Sequence, residues 1–273
     1  MSLFPPSWIV HNGDLRPASA PLLAPGDGLV HCGRGAFETL AAYRGRLFLA
    51  DEHFSRLRRA ALVLELHCPS DAELTHATHQ ALQANHLSTE DLARVRITLS
   101  SPPDGEASWW IEATLPPSHP PVARLVTGPF FRNERSLLVG LKTINYGENV
   151  AALRHARECG ADETIFSNSR LELCEGTWSN IFVRIGGRWI TPPLSSGCLP
   201  GITRALVLEL FEETGAAATE ETLLIDTLER VESAFLTSSL REIQPVAAID
   251  DRTLVLDPLL DKLRAGYHRR ILA

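Results

Sequence analysis

The sequence lacks any apolar run near the ~20 residues that a membrane-spanning helix requires. Its first residues, MSLFPPSWIVHNGD, have neither a basic stretch nor a continuous apolar core, so they do not read as a secretory leader. A Cys-x-x-C pair is also missing. The five cysteines, Cys32, Cys68, Cys159, Cys174 and Cys198, are odd in number and widely spaced. That suits reduced thiols in a cytoplasm better than a disulfide framework or a zinc site. His76 and His79 in THATH could share a helix face as metal ligands. With no acidic or cysteine partner at ligand spacing, they read as surface residues. No basic run interleaves with aromatics, and the net charge of -7 argues against a nucleic-acid partner. Lysine is scarce too, most of the positive charge being arginine. That scarcity singles out Lys142 in LVGLKTINYGENVAALRHA, at the end of an apolar, strand-like run. Desolvation there disfavours the charged amine, so the side chain either reaches solvent or is used as an amine.

What is present suits two α/β domains. A chain of 273 residues holds one large domain or two modest ones, and 44% hydrophobic with 22% charged residues is ordinary for a globular protein. SWIVHNGDLRP predicts a hairpin about Asn12-Gly13, and GAFETLAAYRGRLFLA predicts two strands about Arg44-Gly45. In DEHFSRLRRAALVLEL, Asp51 is placed to N-cap a helix whose stripe is Phe54, Leu57, Ala61 and Leu64. A second helix over DAELTHATHQALQAN and a strand ARVRITLS complete a small N-terminal domain over residues 1–115. The prolines of TLPPSHPPVARL mark an interdomain linker at 116–125. Residues 126–273 form a larger C-terminal domain. It has strands near RLVTGPF and LLVGLKT, a helix over ENVAALRHARECG, a strand-rich stretch with a Gly186-Gly187 turn, the helix GITRALVLELFEETG and a final helix DPLLDKLRAGYHRRIL.

Three features could carry chemistry. Lys142 is the first. Glu175 in LELCEGTWSNIF sits in an apolar setting, where a structural ion pair with a lysine is the plain alternative. Pro200-Gly201 then turn the chain into a helix opening at Ile202 and Thr203, whose backbone donors favour an anion such as a phosphate. An amine, a carboxylate and a phosphate cradle together meet the needs of pyridoxal 5′-phosphate. Arg56 could add a bidentate donor to that phosphate and Ser239 a hydroxyl.

The ordered set GRGAFETL, DEHFSRLRR, KTINYGENVAALRHA, GADETIF, ELCEGTWSNIF, TPPLSSGCLPGITR and FLTSSLREIQPV resembles the fold type IV pyridoxal-phosphate enzymes, the class IV aminotransferases. That family includes branched-chain aminotransferase, D-amino acid aminotransferase and 4-amino-4-deoxychorismate lyase. The resemblance implies an α/β (α+β) two-domain architecture like that of D-amino acid aminotransferase, and a homodimer. It implies that Lys142 carries the cofactor covalently and moves the proton, and that Glu175 pairs with the pyridine nitrogen. Arg56, Ile202, Thr203, Ser239 and its neighbour Leu240 would hold the phosphate, with Tyr146 or Asn145 near the ring hydroxyl.

The chain departs from the family at HCGRGAFETL, where an aromatic residue followed by Gly-Asp-Gly is usual. Cys32 stands for the aromatic residue and Arg34 for the aspartate. This puts Cys32, Arg34, Phe37, Thr39 and Arg241 forward as substrate-side residues, with Arg34 either a carboxylate anchor or a solvent-facing turn residue. The resemblance leans toward the lyase, which expels pyruvate to give 4-aminobenzoate for folate synthesis. The alternative is a transaminase acting on branched-chain L-amino acids or on D-amino acids. GRG lacks the third glycine of a dinucleotide fingerprint and leads into a strand, which argues against a nucleotide domain.

Overall fold

The computed structural model describes residues 5–102 and 108–273. Met1–Phe4, the start of the segment read for a leader, lie outside the described residues. The chain divides into two compact units. The first runs to Ser118 and takes back Leu141–Asn145; the second comprises His119–Gly140 and Tyr146–Ala273.

The first unit is built on a six-stranded antiparallel sheet. Its strands are β1 (Trp8–His11), β2 (Asp14–Pro17), β3 (Ala36–Tyr43), β4 (Arg46–Leu47), β5 (Ala93–Ser100) and β6 (Ser108–Thr114), in the order β2-β1-β6-β5-β3-β4. Asn12 and Gly13 both take positive φ, 50° and 88°, as a two-residue hairpin turn with the twist of its strands demands. The helices are α1 (Gly28–Cys32), α2 (Ala50–Leu64) and α3 (Asp71–Ala84). Phe54, Leu57 and Ala61 of α2 and Leu74 and Ala81 of α3 pack on Leu40, Val95 and Ile97 of the sheet. Asp51 is not the N-cap of α2. The chain enters through Leu49 in the left-handed region (φ 53°), so Asp51 and Glu52 fall in the first turn, where they complement the helix dipole. Strand β6 and helix α1 were not anticipated, although Trp109-Trp110-Ile111 is a strand-like run.

Lys142 does not end a strand. Residues 137–140 form a turn that closes at Gly140 (φ 73°), and the following segment lies along the start of β3. Phe37 N donates to the Lys142 carbonyl (2.9 Å), Ile144 N donates to the Gly35 carbonyl (2.9 Å), and Thr143 bridges Ala36. The lysine is therefore fixed by its main chain to the first unit.

The second unit carries a nine-stranded mixed sheet: β7 (Ala123–Arg132), β8 (Glu163–Asn168), β9 (Leu173–Gly176), β10 (Asn180–Ile185), β11 (Arg188–Thr191), β12 (Ala218–Glu220), β13 (Ser233–Ser238), β14 (Glu242–Ile249) and β15 (Arg252–Thr253). The order is β12-β11-β10-β13-β14-β7-β8-β9, with β15 on β14. Strand β7 begins inside the stretch expected as linker, because Ala123 and Leu125 are core residues of this sheet. The helices are α4 (Gly147–Glu158), α5 (Ile202–Glu213) and α6 (Leu259–Leu272). Phe211 of α5 stacks on Phe182 and Phe235 of the sheet, which fixes the helix and its N-terminus over β10 and β13. Among the described residues, no helix is long and apolar enough to cross a membrane.

Candidate active site

In the second unit, Glu175 stands on β9 opposite Phe166 of β8 and is 8% exposed. Its Oε1 accepts from Arg132 Nε (3.2 Å) and its Oε2 from the backbone N–H of Leu199 (2.9 Å). The Arg132 guanidinium also lies over the Phe166 ring, 4.2 Å from its centroid. The carboxylate is thus held between a guanidinium and a backbone amide donor.

Leu199 links Glu175 to the entrance of α5. Its carbonyl accepts from Asn180 Nδ2 (2.9 Å), and two residues later a Cβ on Gly201 would overlap the Asn180 amide. Gly201 caps α5 in extended backbone with no side-chain bond, and the first intrahelical bond runs from Ala205 N to the Gly201 carbonyl. The N–H groups of Ile202, Thr203 and Arg204 therefore have no carbonyl within the helix to donate to. Their direction and the helix dipole favour an anion. Thr237 lies opposite Asn180 in the β10–β13 ladder, so the β13–β14 turn that carries Ser239 and Leu240 starts two residues beyond. Tyr146, at the entrance of α4, packs its ring 5.2 Å from that of Trp178.

In the first unit, Phe37 of β3 is the centre. The Lys142 ammonium sits 4.5 Å from its ring centroid and the Arg96 guanidinium 3.8 Å from it. Arg96, on β5, is directly opposite Thr39. Beside Phe37, Glu38 turns to the other face of β3 and is fully buried. It accepts from Arg56 Nε (2.6 Å) and Nη2 (2.9 Å), and lies 2.8 Å from His53 Nδ1. Burial alone would push the Glu38 carboxyl up; the charges and hydrogen bonds of Arg56 and His53 outweigh it and hold the group far below the usual carboxylate range. Burial lowers His53, against the pull of Glu38.

A family model described as "Amino-transferase class IV" matches residues 35–249. The chain belongs to this family. It is 31% identical, over 83% of its length and 82% of the relative's, to a putative branched-chain-amino-acid aminotransferase of Methanocaldococcus jannaschii. It is similar to a solved fold IV transaminase, CpuTA1, from Curtobacterium pusillum (29% identity, 92% of each chain, TM-score 0.84). A putative 4-amino-4-deoxychorismate lyase from Legionella pneumophila superposes equally well (26% identity, 93% and 97% covered, TM-score 0.85). The mixed α/β fold is thus of type IV, and the protein is a pyridoxal-phosphate-dependent enzyme. Within the second unit the donors suit that cofactor's ring nitrogen and phosphate: a buried carboxylate bonded to Arg132, and an uncapped helix entrance beside it.

In this class IV aminotransferase, several of the expected substrate-side residues are engaged elsewhere. Arg34 is partly exposed, and its fork is engaged. Its Nε and Nη2 donate to the Leu64 and Glu65 carbonyls (both 2.9 Å), where they close the C-terminus of α2. Cys32 is exposed at the end of α1, its thiol on the Gly28 carbonyl (3.2 Å). Arg241 is inside the second unit against Glu163 and Gln244. Asn145 donates to the Gly33 carbonyl (3.2 Å) and so braces the end of α1. Sequence reasoning missed Arg132, Arg96 and Asn180. Arg132 stands at a strand end shortly before the lysine, which was the one local signal for it; Arg96 and Asn180 acquire meaning only through strand pairing. All five cysteines are free thiols, and burial pushes Cys198 up to about 11.

Proposed function

We propose that this enzyme is an amino-acid transaminase in which Lys142 is the covalent attachment and the proton carrier. The carrying observation is the Phe37 ring with both Lys142 and Arg96 upon it. An α-amino acid has its carboxylate on the carbon next to the amine, and the guanidinium that shares the Phe37 ring with the reacting lysine offers it a charge-assisted bond. Arg96 then anchors the carboxylate while the Lys142 amine takes and returns the proton at the adjacent carbon. The cofactor, when bound, supplies the electron sink. Glu175 would pair with its ring nitrogen, and Tyr146 would stand on the side of its ring hydroxyl. The N–H groups of Ile202 and Thr203, with Ser239 and Leu240, would hold its phosphate. Arg56, assigned to the same phosphate by the sequence resemblance alone, has its guanidinium plane fixed by Glu38 within the first unit. A cytoplasmic homodimer agrees with this reading.

The second reading is the aminodeoxychorismate lyase, favoured by the likeness to the Legionella protein. Its support on the substrate side is thinner, since Arg34 and Arg241, the two candidate anchors for a bulky dicarboxylate, serve helix and core. One experiment divides them. The purified enzyme is offered branched-chain L-amino acids and D-alanine with 2-oxoglutarate, and separately aminodeoxychorismate with no acceptor. We expect keto acid from one of the amino acids, dependent on the acceptor. Pyruvate from aminodeoxychorismate alone would transfer the assignment to the lyase.

A further inference from the structure

We propose that Glu163 is a positioning residue that joins the two halves of the phosphate cradle; this rests on the reading of that cradle given above. Glu163 opens β8 and is completely buried. Its two oxygens face different parts of the second unit. Oε2 accepts from the backbone N–H of Trp178 (3.0 Å) and from the Ser179 hydroxyl (2.9 Å). Those residues lead directly into Asn180, which braces Leu199 and Gly201 at the entrance of α5. Oε1 lies 2.8 Å from Arg241 Nη2, as an ion pair without hydrogen-bond alignment. Arg241 in turn closes the β13–β14 turn, its backbone N–H on the Ser238 hydroxyl (3.3 Å) and its Nη1 on Gln244 (2.8 Å). Ser239 and Leu240 lie between those two points. One carboxylate therefore sets both the helix entrance and the facing turn.

The approach is close enough to demand a glycine. A Cβ on Gly176, the residue after Glu175, would come 2.5 Å from Glu163 Oε2 and 2.6 Å from the Ser179 hydroxyl. Gly176 thus lets the carboxylate reach the 178–179 turn. A buried charge pair of this kind adds little to stability over a well-packed apolar pair, so its place in the fold is better explained by what it orients. Its loss should relax the cradle by fractions of an ångström, which affects a phosphate held by several short bonds far more than a ring held by packing.

The test compares equilibrium binding of pyridoxal 5′-phosphate and of pyridoxal, by fluorescence titration, in wild type, Glu163→Gln and Gly176→Ala. The second variant keeps every charge and serves if the first does not fold. We expect wild type to prefer the phosphorylated form. Each variant that folds should lose at least about tenfold in affinity for it, with affinity for pyridoxal unchanged, as for the loss of a charge-assisted hydrogen bond. Equal losses for both ligands, or none, would make Glu163 a structural residue only and overturn the proposal. A wild type that does not discriminate the two ligands would instead overturn the reading of the cradle.

Discussion

At the scale of single residues, the scarcity of lysine becomes an experimental advantage. The chain has two, Lys142 and Lys262, and Lys262 lies far along the chain in α6. Borohydride reduction of the enzyme with its cofactor should place the entire adduct on the peptide containing Lys142, read by mass spectrometry. An adduct on Lys262 would end the assignment. The sequence put Lys142 and Glu175 forward because each is an ionisable residue in an apolar stretch, which is anomalous on one sequence line. Arg96 was not legible. It stands in an alternating strand, ARVRITLS, where arginine at every second position reads as an ordinary solvent face, and only the pairing with β3 brings it to Phe37. The side-chain partners of Arg34 were equally illegible. Two flanking glycines made it look like a turn residue, while its long side chain reaches back to a helix end some thirty residues away in sequence.

At the scale of elements, strands and hairpins were read well where the turn chemistry was local, as at Asn12-Gly13 and Gly186-Gly187. The segment before Lys142 was misread, since an apolar run of that length does not distinguish a strand from a turn packed on another strand. The junction of β3 with α2 gives the sharpest prediction here. Glu38 on the strand meets His53 and Arg56 on the helix, with all three side chains buried. Glu38→Gln would leave the Arg56 charge poorly compensated, and we expect a loss of about 3–5 kcal/mol at neutral pH by denaturant unfolding. Because the folded Glu38 carboxyl is held below its ordinary value of 4.5, its contribution is complete above that pH and is lost as pH falls beneath it. The penalty of the substitution should therefore shrink in acid. A penalty that stayed constant from pH 7 to strongly acidic conditions would mean that packing, not charge, joins the two elements.

At the scale of the whole molecule, the chain passes from one compact unit to the other at Ser118–His119, within the proline-rich stretch, and the return of Leu141–Asn145 to the first unit has no counterpart in the sequence reading. No periodicity signals that five residues leave one unit for another; the signal is a set of backbone bonds to Gly35 and Phe37. The same scale governs the response to acid. Three histidines titrate below their ordinary value of 6.5. Burial lowers His53 and, with the Arg16 charge, His11 in the first unit, while burial and the nearby Arg241 charge lower His119 in the second to about 4. For each, the unfolded chain binds a proton more readily than the folded one, so stability rises with pH across the interval between the two values. The contribution is fully present above 6.5, and that of His119 is lost as pH falls through about 4. Glu38 acts in the same direction at still lower pH. We expect the unfolding temperature, followed by circular dichroism, to be flat above neutrality and to fall steadily from pH 6.5 towards 4. Replacing His119 by Asn should flatten part of that slope without altering the plateau. A melting temperature that rose on acidification would show that relief of the net negative charge outweighs these buried groups.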